Sequence, residues 1–535
     1  MYVCTKSTRR LLLLFLVSLF ALWPVASNGQ ETAPPAAEQP QLTAADVQPT
    51  LDQGGQLLSQ GAYNEALQLF RQIAPIARRA YAEGADNGEQ LLKALVGQGM
   101  ALTGMQEFPD ALEVYNEVLE SQEEYAPALI GRGNLYLQAN APGNALPDFQ
   151  KAIKSARGNP PVLMDALFGF GKSLVLTQQF QAAVGPLSKV IAQGQGPNMA
   201  EAYRLRGMAL SGLDKFALAD ADFKESLSLN PDAHDTYFEL GILNIRKKEY
   251  QAAVDEFARA IEKYKPPQGR EDEPFMQGYM VKAAAHIEVG KAATEPAARA
   301  AAYQAAVDEA QKLYSLVDEE SRYTAGVRAA ALLTRGIGER MLGKLSTAIR
   351  TFSQALELNP AASEAYFRRG ICLLEIGEDK MALSDFVQAA SINYEDPRNN
   401  LWEGFVYAKM EDYHEAIRAY GDAIAASDRF TPAYINRGLA YMALGEDEKA
   451  IADFNDALRI EPTNGDYYYK RGVAYAQLGR LEQASNSLAS AIEFAPTHRE
   501  AYRQMAGVMQ RLGRAELAEQ YRKKAAELDA AKSTL

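Results

Sequence analysis

Four histidines are scattered over 535 residues, at His234, His286, His414 and His498, and no two form an HxxxH pair. Such a pair would set two imidazoles on one helix face and could hold zinc. Cys4 and Cys372 are equally isolated. Gly169-Phe170-Gly171 lacks the further glycines of a phosphate-binding loop, and no nucleophile elbow is present. The many carboxylates are dispersed as a solvated helical surface would disperse them. We therefore expect no catalytic residue, no metal and no cofactor. One spacing does make chemical sense. Arginine is followed sixteen residues later by aspartate at Arg132 and Asp148, Arg206 and Asp222, Arg369 and Asp385, and Arg437 and Asp453. Opposite charges at a fixed offset, repeated four times, predict structural ion pairs between two helices of one unit.

The offset belongs to a longer repetition. Each of those arginines precedes a glycine, as do Arg335 and Arg471, and the glycines recur: Gly99, Gly133, Gly171, Gly207 and Gly241, then Gly336, Gly370, Gly404, Gly438 and Gly472. The second series has a strict period of 34. Twelve residues after every one of these glycines stands an alanine, from Ala111 to Ala484. Sixteen after stands a large apolar residue, among them Phe149, Phe223, Phe257, Phe352, Phe386, Tyr420 and Phe454. Within one period, Thr431–Pro462, apolar residues fall at helical spacing around Gly438. Leu444-Gly445 then interrupts, and Ala450, Phe454 and Ala457 form the stripe of a second helix. Small residues mark where two helix backbones approach closely, and Pro462 cannot continue the helix. A fixed period in this range means stacked supersecondary units.

The run YxxRGxAYxxLGxxxxAxxDFxxALxLxP resembles the tetratricopeptide repeat family over about nine-tenths of the chain beyond its leader. Arginine in place of the usual leucine before the glycine is the main departure. The resemblance implies an all-α, right-handed α-solenoid of helix-turn-helix repeats, roughly 13 of them, acting as a non-catalytic protein–protein interaction scaffold. Concave grooves lined by the first helices are the usual binding face of that family. Three residues before the glycines of the second series the sequence reads Leu333, Phe367, Leu401, Ile435 and Tyr469, and one residue after, Ile337, Ile371, Phe405, Leu439 and Val473. Between them lie Trp402, Asn436 and Lys470. We expect the groove to include Phe367, Leu401, Trp402, Phe405, Ile435, Asn436, Tyr469 and Lys470 and to bind protein or peptide segments. The alternative is that these residues pack against neighbouring helices. No regular unit has a lysine three before its glycine, which the family's clamp for carboxylate tails requires.

The N-terminus reads differently. Lys6, Arg9 and Arg10 precede the apolar run Leu11–Trp23 and then Pro24-Val25-Ala26-Ser27, the arrangement of a secretory signal peptide over 1–27. We expect export to the periplasm, envelope or secreted space, with the leader either cleaved near Ala26 or kept as the sole membrane contact. Loss of its three positive charges takes the formal net charge from −13 to −16. An acidic chain without a basic stripe is a poor match for nucleic acid. Once the leader is gone Cys372 has no partner for a disulfide, and we read it as a small buried apolar residue. Pro34, Pro35 and Pro40 lie in a Pro/Ala-rich linker, 28–46. An N-terminal array follows over 47–265, an irregular repeat with insertions over 266–328, a C-terminal array over 329–528 and a tail over 529–535. In the last unit Arg522 stands where the aromatic is expected, giving the polar outer face of a terminal cap. The competing functional classes are a self-associating structural solenoid and a recruitment subunit for a separate enzyme.

Overall fold

A computed structural model describes residues 43–85, 88–156, 158–194, 196–266, 273–317 and 322–533. The expected leader and nearly all of the linker lie outside these residues. The described residues form 26 α-helices and no strand, and the helices pair into 13 antiparallel hairpins. The fold is an all-α solenoid. The chain divides into two compact units, one ending at Ala285 and the other starting at His286, within the helix Met276–Ala292.

The hairpin is built around a ring over a glycine. Phe454, from the second helix Asp447–Ile460, lies against Gly438 of the first helix Thr431–Ala443, where an added Cβ would come within 2.6 Å of the ring. The same clash faces a Cβ at Gly207 from Phe223, 2.7 Å away, and at Gly370 from Phe386, 2.9 Å away. These rings are fully buried, as are the alanines four residues earlier in the second helix, such as Ala450. Removing each from water supplies about 2–3 kcal/mol, and the alanine lets the backbones close on it.

Seven residues after each phase position the chain turns through the left-handed region. In the first unit the turn residues are Gly61, Gln106, Asn140, Gln178, Asp214 and Lys248, with φ between 55° and 77°. In the second they are Gly343, Gly377, Glu411, Gly445, Gly479 and Gly513. Six turns thus carry a side chain where a Cβ crowds the carbonyl, at a cost of about 1 kcal/mol or more at Gln106, Gln178, Lys248 and Glu411 and less at Asn140 and Asp214. The irregular hairpin, Met276–Ala292 and Pro296–Leu316, turns without a left-handed residue. Its extra length lies in long helices rather than a loop, and Ala306 and Leu313 of the second helix are buried. The final helix, Ala515–Ser533, runs on through the residues expected as a tail. Ala518 and Ala525 are buried there, while Arg522 faces outward to Gln510 and Glu519.

Arginine binds the hairpins together. Arg132 donates from Nε and Nη2 to the two carboxylate oxygens of Asp148, at 2.8 and 2.7 Å. Arg206 with Asp222 (2.7 and 2.7 Å), Arg369 with Asp385 (2.8 and 2.8 Å) and Arg437 with Asp453 (2.9 and 2.7 Å) repeat this two-pronged geometry. The aspartates are buried, and the third nitrogen reaches a different helix. Nη1 of Arg132 donates to Asn116, that of Arg206 to Ser188 and that of Arg369 to Ser353, each on the second helix of the preceding hairpin. One guanidinium therefore ties three helices. Where aspartate is missing, Arg335 turns to Glu339, whose other oxygen accepts from Thr351, and Arg471 donates to Ser487 and Asn455. The unit of Gly404 inverts the charges: Glu403 on the first helix accepts from Arg418 on the second, at 2.6 Å. Burial raises the Asp453 carboxyl from its ordinary value, although Arg437 pulls it down. Desolvation thus opposes the attraction there.

Two outcomes follow for stability. Glu411→Gly should raise the unfolding free energy by about 0.5–1 kcal/mol in urea titrations, because glycine accepts the left-handed turn without strain. A double-mutant cycle on Arg437→Ala and Asp453→Ala should give a coupling of about 1–2 kcal/mol, whereas additive losses would leave the bidentate pair without energetic weight.

Candidate functional site

The first helices of the second unit present a narrow strip of exposed apolar surface. It is narrower than the sequence suggests. Phe367, Leu401 and Ile435 do not line a groove: each is less than a tenth exposed, as is Leu333. Phe367 packs on Phe386 and Val406, Leu401 lies in the cluster of Tyr420 and Ala433, and Ile435 in that of Phe454 and Ala474. Each first helix is flanked both by its own second helix and by the next first helix. The position three before the glycine faces that corner and belongs to the core.

The position one after the glycine points outward in two of the five hairpins. Phe405 is 43% exposed and Leu439 is 39% exposed, at equivalent places on the neighbouring helices Pro397–Lys409 and Thr431–Ala443. Ile371 is buried, and Val473 and Ile337 are half-buried. Trp402 lies half-buried beside the strip, stacked on Phe386 of the preceding hairpin at 6.0 Å between centroids and edge-on to Phe405 at 5.3 Å. Its ring joins core to surface. Asn436 is half-buried one turn away from Leu439.

Further along, Tyr469 packs on His498 at 4.6 Å. His498 Nδ1 accepts from the Ala501 amide at 3.2 Å, capping the helix Arg499–Arg511. Lys470 is committed to an ion pair with Asp466. Hydrogen bonds from His498 and Lys470 hold the Asp466 carboxyl down at about 2, against the effect of its burial. Lys470 is thus a structural cation rather than an open contact for a ligand.

A charged margin escaped the sequence reading. Arg398 bridges Asp396 and Glu364, at 3.0 Å from the latter, and lies over the Phe367 ring at 4.9 Å, while Arg368 donates to Glu364 at 2.6 Å. The available signal was the position six before the glycine, which reads Glu364, Arg398 and Asp466. On the first unit the corresponding face carries Glu201, which accepts two hydrogen bonds from Arg204 at 2.7 and 2.6 Å, with Lys172 3.8 Å away. Burial pushes the nearby Glu239 carboxyl up to about 7, Arg204 opposing and Asp235 and Glu201 adding to the rise.

Chemically these faces offer apolar contact and fixed charge. Cys372 is fully buried, and burial lifts its thiol to about 11, far from the thiolate a nucleophile needs. Among the described residues no group of three or more His, Cys, Asp or Glu could hold a metal ion. No described helix is long and apolar enough to cross a membrane.

Comparison with known proteins agrees with the hairpin geometry. Family models described as "Tetratricopeptide repeat" match residues 96–160, 205–266, 333–397 and 465–498, and one described as "TPR repeat" matches 438–479. A search of curated proteins finds no match. Among solved structures, the chain is similar to MamA from Desulfovibrio magneticus RS-1, at 18% identity and a TM-score of 0.30, over 32% of this chain and 96% of that one. It is also similar to YrrB, "a TPR protein with an unusual peptide-binding site", at 24% identity and a TM-score of 0.30, over 38% and 96%. The Cut9-Hcn1 hetero-tetramer structure aligns over 82% of this chain and 93% of that one, at 16% identity and a TM-score of 0.32. Repeats of this kind serve in general as scaffolds for protein or peptide partners. With helical hairpins repeating a small residue, an alanine and a buried ring at the family's spacing, the chain is a tetratricopeptide repeat protein.

Proposed function

We propose that this chain is a non-catalytic adaptor of the cell envelope or secreted space, and that it holds a segment of a partner protein against the first helices of its C-terminal unit. The observation that carries the reading is the exposed pair Phe405 and Leu439. Two large apolar side chains at equivalent positions on adjacent helices, backed by Trp402, make the kind of aromatic-centred contact on which binding energy concentrates. An amphipathic or extended segment with apolar side chains would cover them. The leader with Lys6, Arg9 and Arg10 before Leu11–Trp23 supports the exported location.

Capture of a partner from envelope extracts, with wild-type and Phe405→Ala/Leu439→Ala chains as bait, tests the site. The partner retained by wild type should be lost or weakened by about 1–3 kcal/mol per side chain, with thermal unfolding nearly unchanged because both rings and branches are exposed in the free protein. Trp402→Ala should behave differently. Its stacking on Phe386 makes it part of the fold, so a stability loss of about 1–3 kcal/mol should accompany any loss of affinity. Equal binding by the double variant would move the partner site elsewhere. Concentration-dependent association of the wild-type chain, abolished by the same two substitutions, would assign the patch to self-assembly instead. For export, residues 1–45 fused to a reporter active only outside the cytoplasm should give activity, and reporter activity confined to the cytoplasm would remove the envelope from the reading.

A further inference from the structure

We propose that the second unit contains a built-in joint at Gly421, between the hairpin Pro397–Ala426 and the hairpin Thr431–Ile460. The three-helix arginine tie is incomplete there. Seventeen residues after a phase glycine, the second helix of one hairpin offers an acceptor to the arginine of the next: Asn116 to Arg132 at 2.6 Å, Ser188 to Arg206 at 3.0 Å, Ser353 to Arg369 at 2.8 Å and Asn455 to Arg471 at 2.8 Å. At the corresponding place before Arg437 stands Gly421. A Cβ there would lie 3.7 Å from Nη1 of Arg437, so the guanidinium approaches the right spot and meets no side chain.

The rest of that junction is apolar. Leu401, Tyr420, Ala423, Ala433 and Ala440 form one cluster across it. Among the described residues, no side-chain hydrogen bond or ion pair connects these two hairpins directly. The junctions on either side are held differently. Toward the N-terminus, Arg398 reaches Glu364, Asn399 donates to the Ala389 carbonyl at 3.2 Å and Lys409 pairs with Asp379 at 2.6 Å. Toward the C-terminus, Tyr467 donates to Thr431 at 3.3 Å, Arg471 to Asn455, and Arg480 pairs with Glu448.

In a stacked repeat protein each hairpin contacts only its neighbours, so stability is a sum of internal and interface contributions. The interface lacking directional ties then opens and changes angle most readily. Glycine in the middle of the helix Tyr413–Ala426 weakens the same place relative to alanine. The joint also falls between Phe405 and Leu439, so its angle sets their separation. That last link rests on the reading of the patch as a binding surface; the joint itself does not.

Hydrogen exchange on the full chain, read by mass spectrometry over each hairpin, tests the proposal without any partner. Amides of 413–443 should exchange about tenfold faster than those of 379–409 and 447–477. Gly421→Ser should supply the missing acceptor and raise protection in both helices flanking the joint. Gly421→Ala improves helix propensity alone, so its gain should be smaller, at most about half that of serine on a logarithmic scale. Arg437→Ala in the Gly421→Ser background should return protection to the alanine level or below. Uniform exchange along the unit, or equal gains from serine and alanine, would overturn the joint. Either failure leaves the binding reading standing, because loss of partner capture by the Phe405 and Leu439 variants is measured separately.

Discussion

The fold depends on one close contact: a buried ring of the second helix, or a leucine at Leu187 and Leu488, set against a glycine of the first. No side chain fits at Gly438 while Phe454 is in place. The contact fixes how near the two helices lie and which faces meet, and from it the alanines twelve residues after the glycine and the turn at seven follow as geometry. In the early repeats the ring is enclosed twice. Phe70 lies over both Gly54 and Gly97, so it occupies a slot between successive first helices. From Gly207 onward the second wall of that slot is no longer glycine. Leu205, Trp402, Asn436 and Lys470 stand there, and in this way Trp402 comes to rest on Phe386 with its edge beside Phe405. The surface chemistry of the second unit is therefore a consequence of how its core slots are closed.

Legibility in the sequence followed periodicity. Positions whose environment is the same in every hairpin could be read from spacing alone: the small phase residue, the alanine and the ring. The partners of arginine could be read only halfway. Asp148, Asp222, Asp385 and Asp453 share one offset within a unit, but Asn116, Ser188 and Ser353 belong to the preceding unit and vary in type, which hides them. Glu339 and Glu403 were hidden for the same reason, since each restores the charge balance from a different position. The left-handed turns were visible where glycine marked them and invisible at Gln106, Gln178 and Lys248, where tertiary packing imposes a conformation the residue type disfavours.

The groove was the least legible part. Whether a first-helix residue is core or surface depends on where the next hairpin lies, a quantity no single period encodes. Phe367, Leu401 and Ile435 are apolar because they are core, and Phe405 and Leu439 are apolar although they are not. An apolar residue on a helix next to an equally apolar lane carries no mark of which lane it belongs to. Lys470 similarly gave no sign of its pairing with Asp466, four residues earlier on the same helix.

Arginine before the glycine, where the family usually has leucine, exchanges one kind of constraint for another. A leucine there would fill space with little preference for direction. The guanidinium has a fixed fork and satisfies it only when three helices hold particular angles. Its aspartate is buried, and at Asp453 desolvation opposes the pull of Arg437, so the pair gives up hydration while its fork fixes orientation. Hairpins with the full tie have their angle to the preceding hairpin set by hydrogen bonds. At Arg437 only the intra-hairpin half survives, and the angle is left to the packing of Tyr420 and Ala433. A solenoid assembled from both kinds of junction is stiff in some places and compliant in others, and in the second unit the compliant junction underlies the strip with the exposed aromatic.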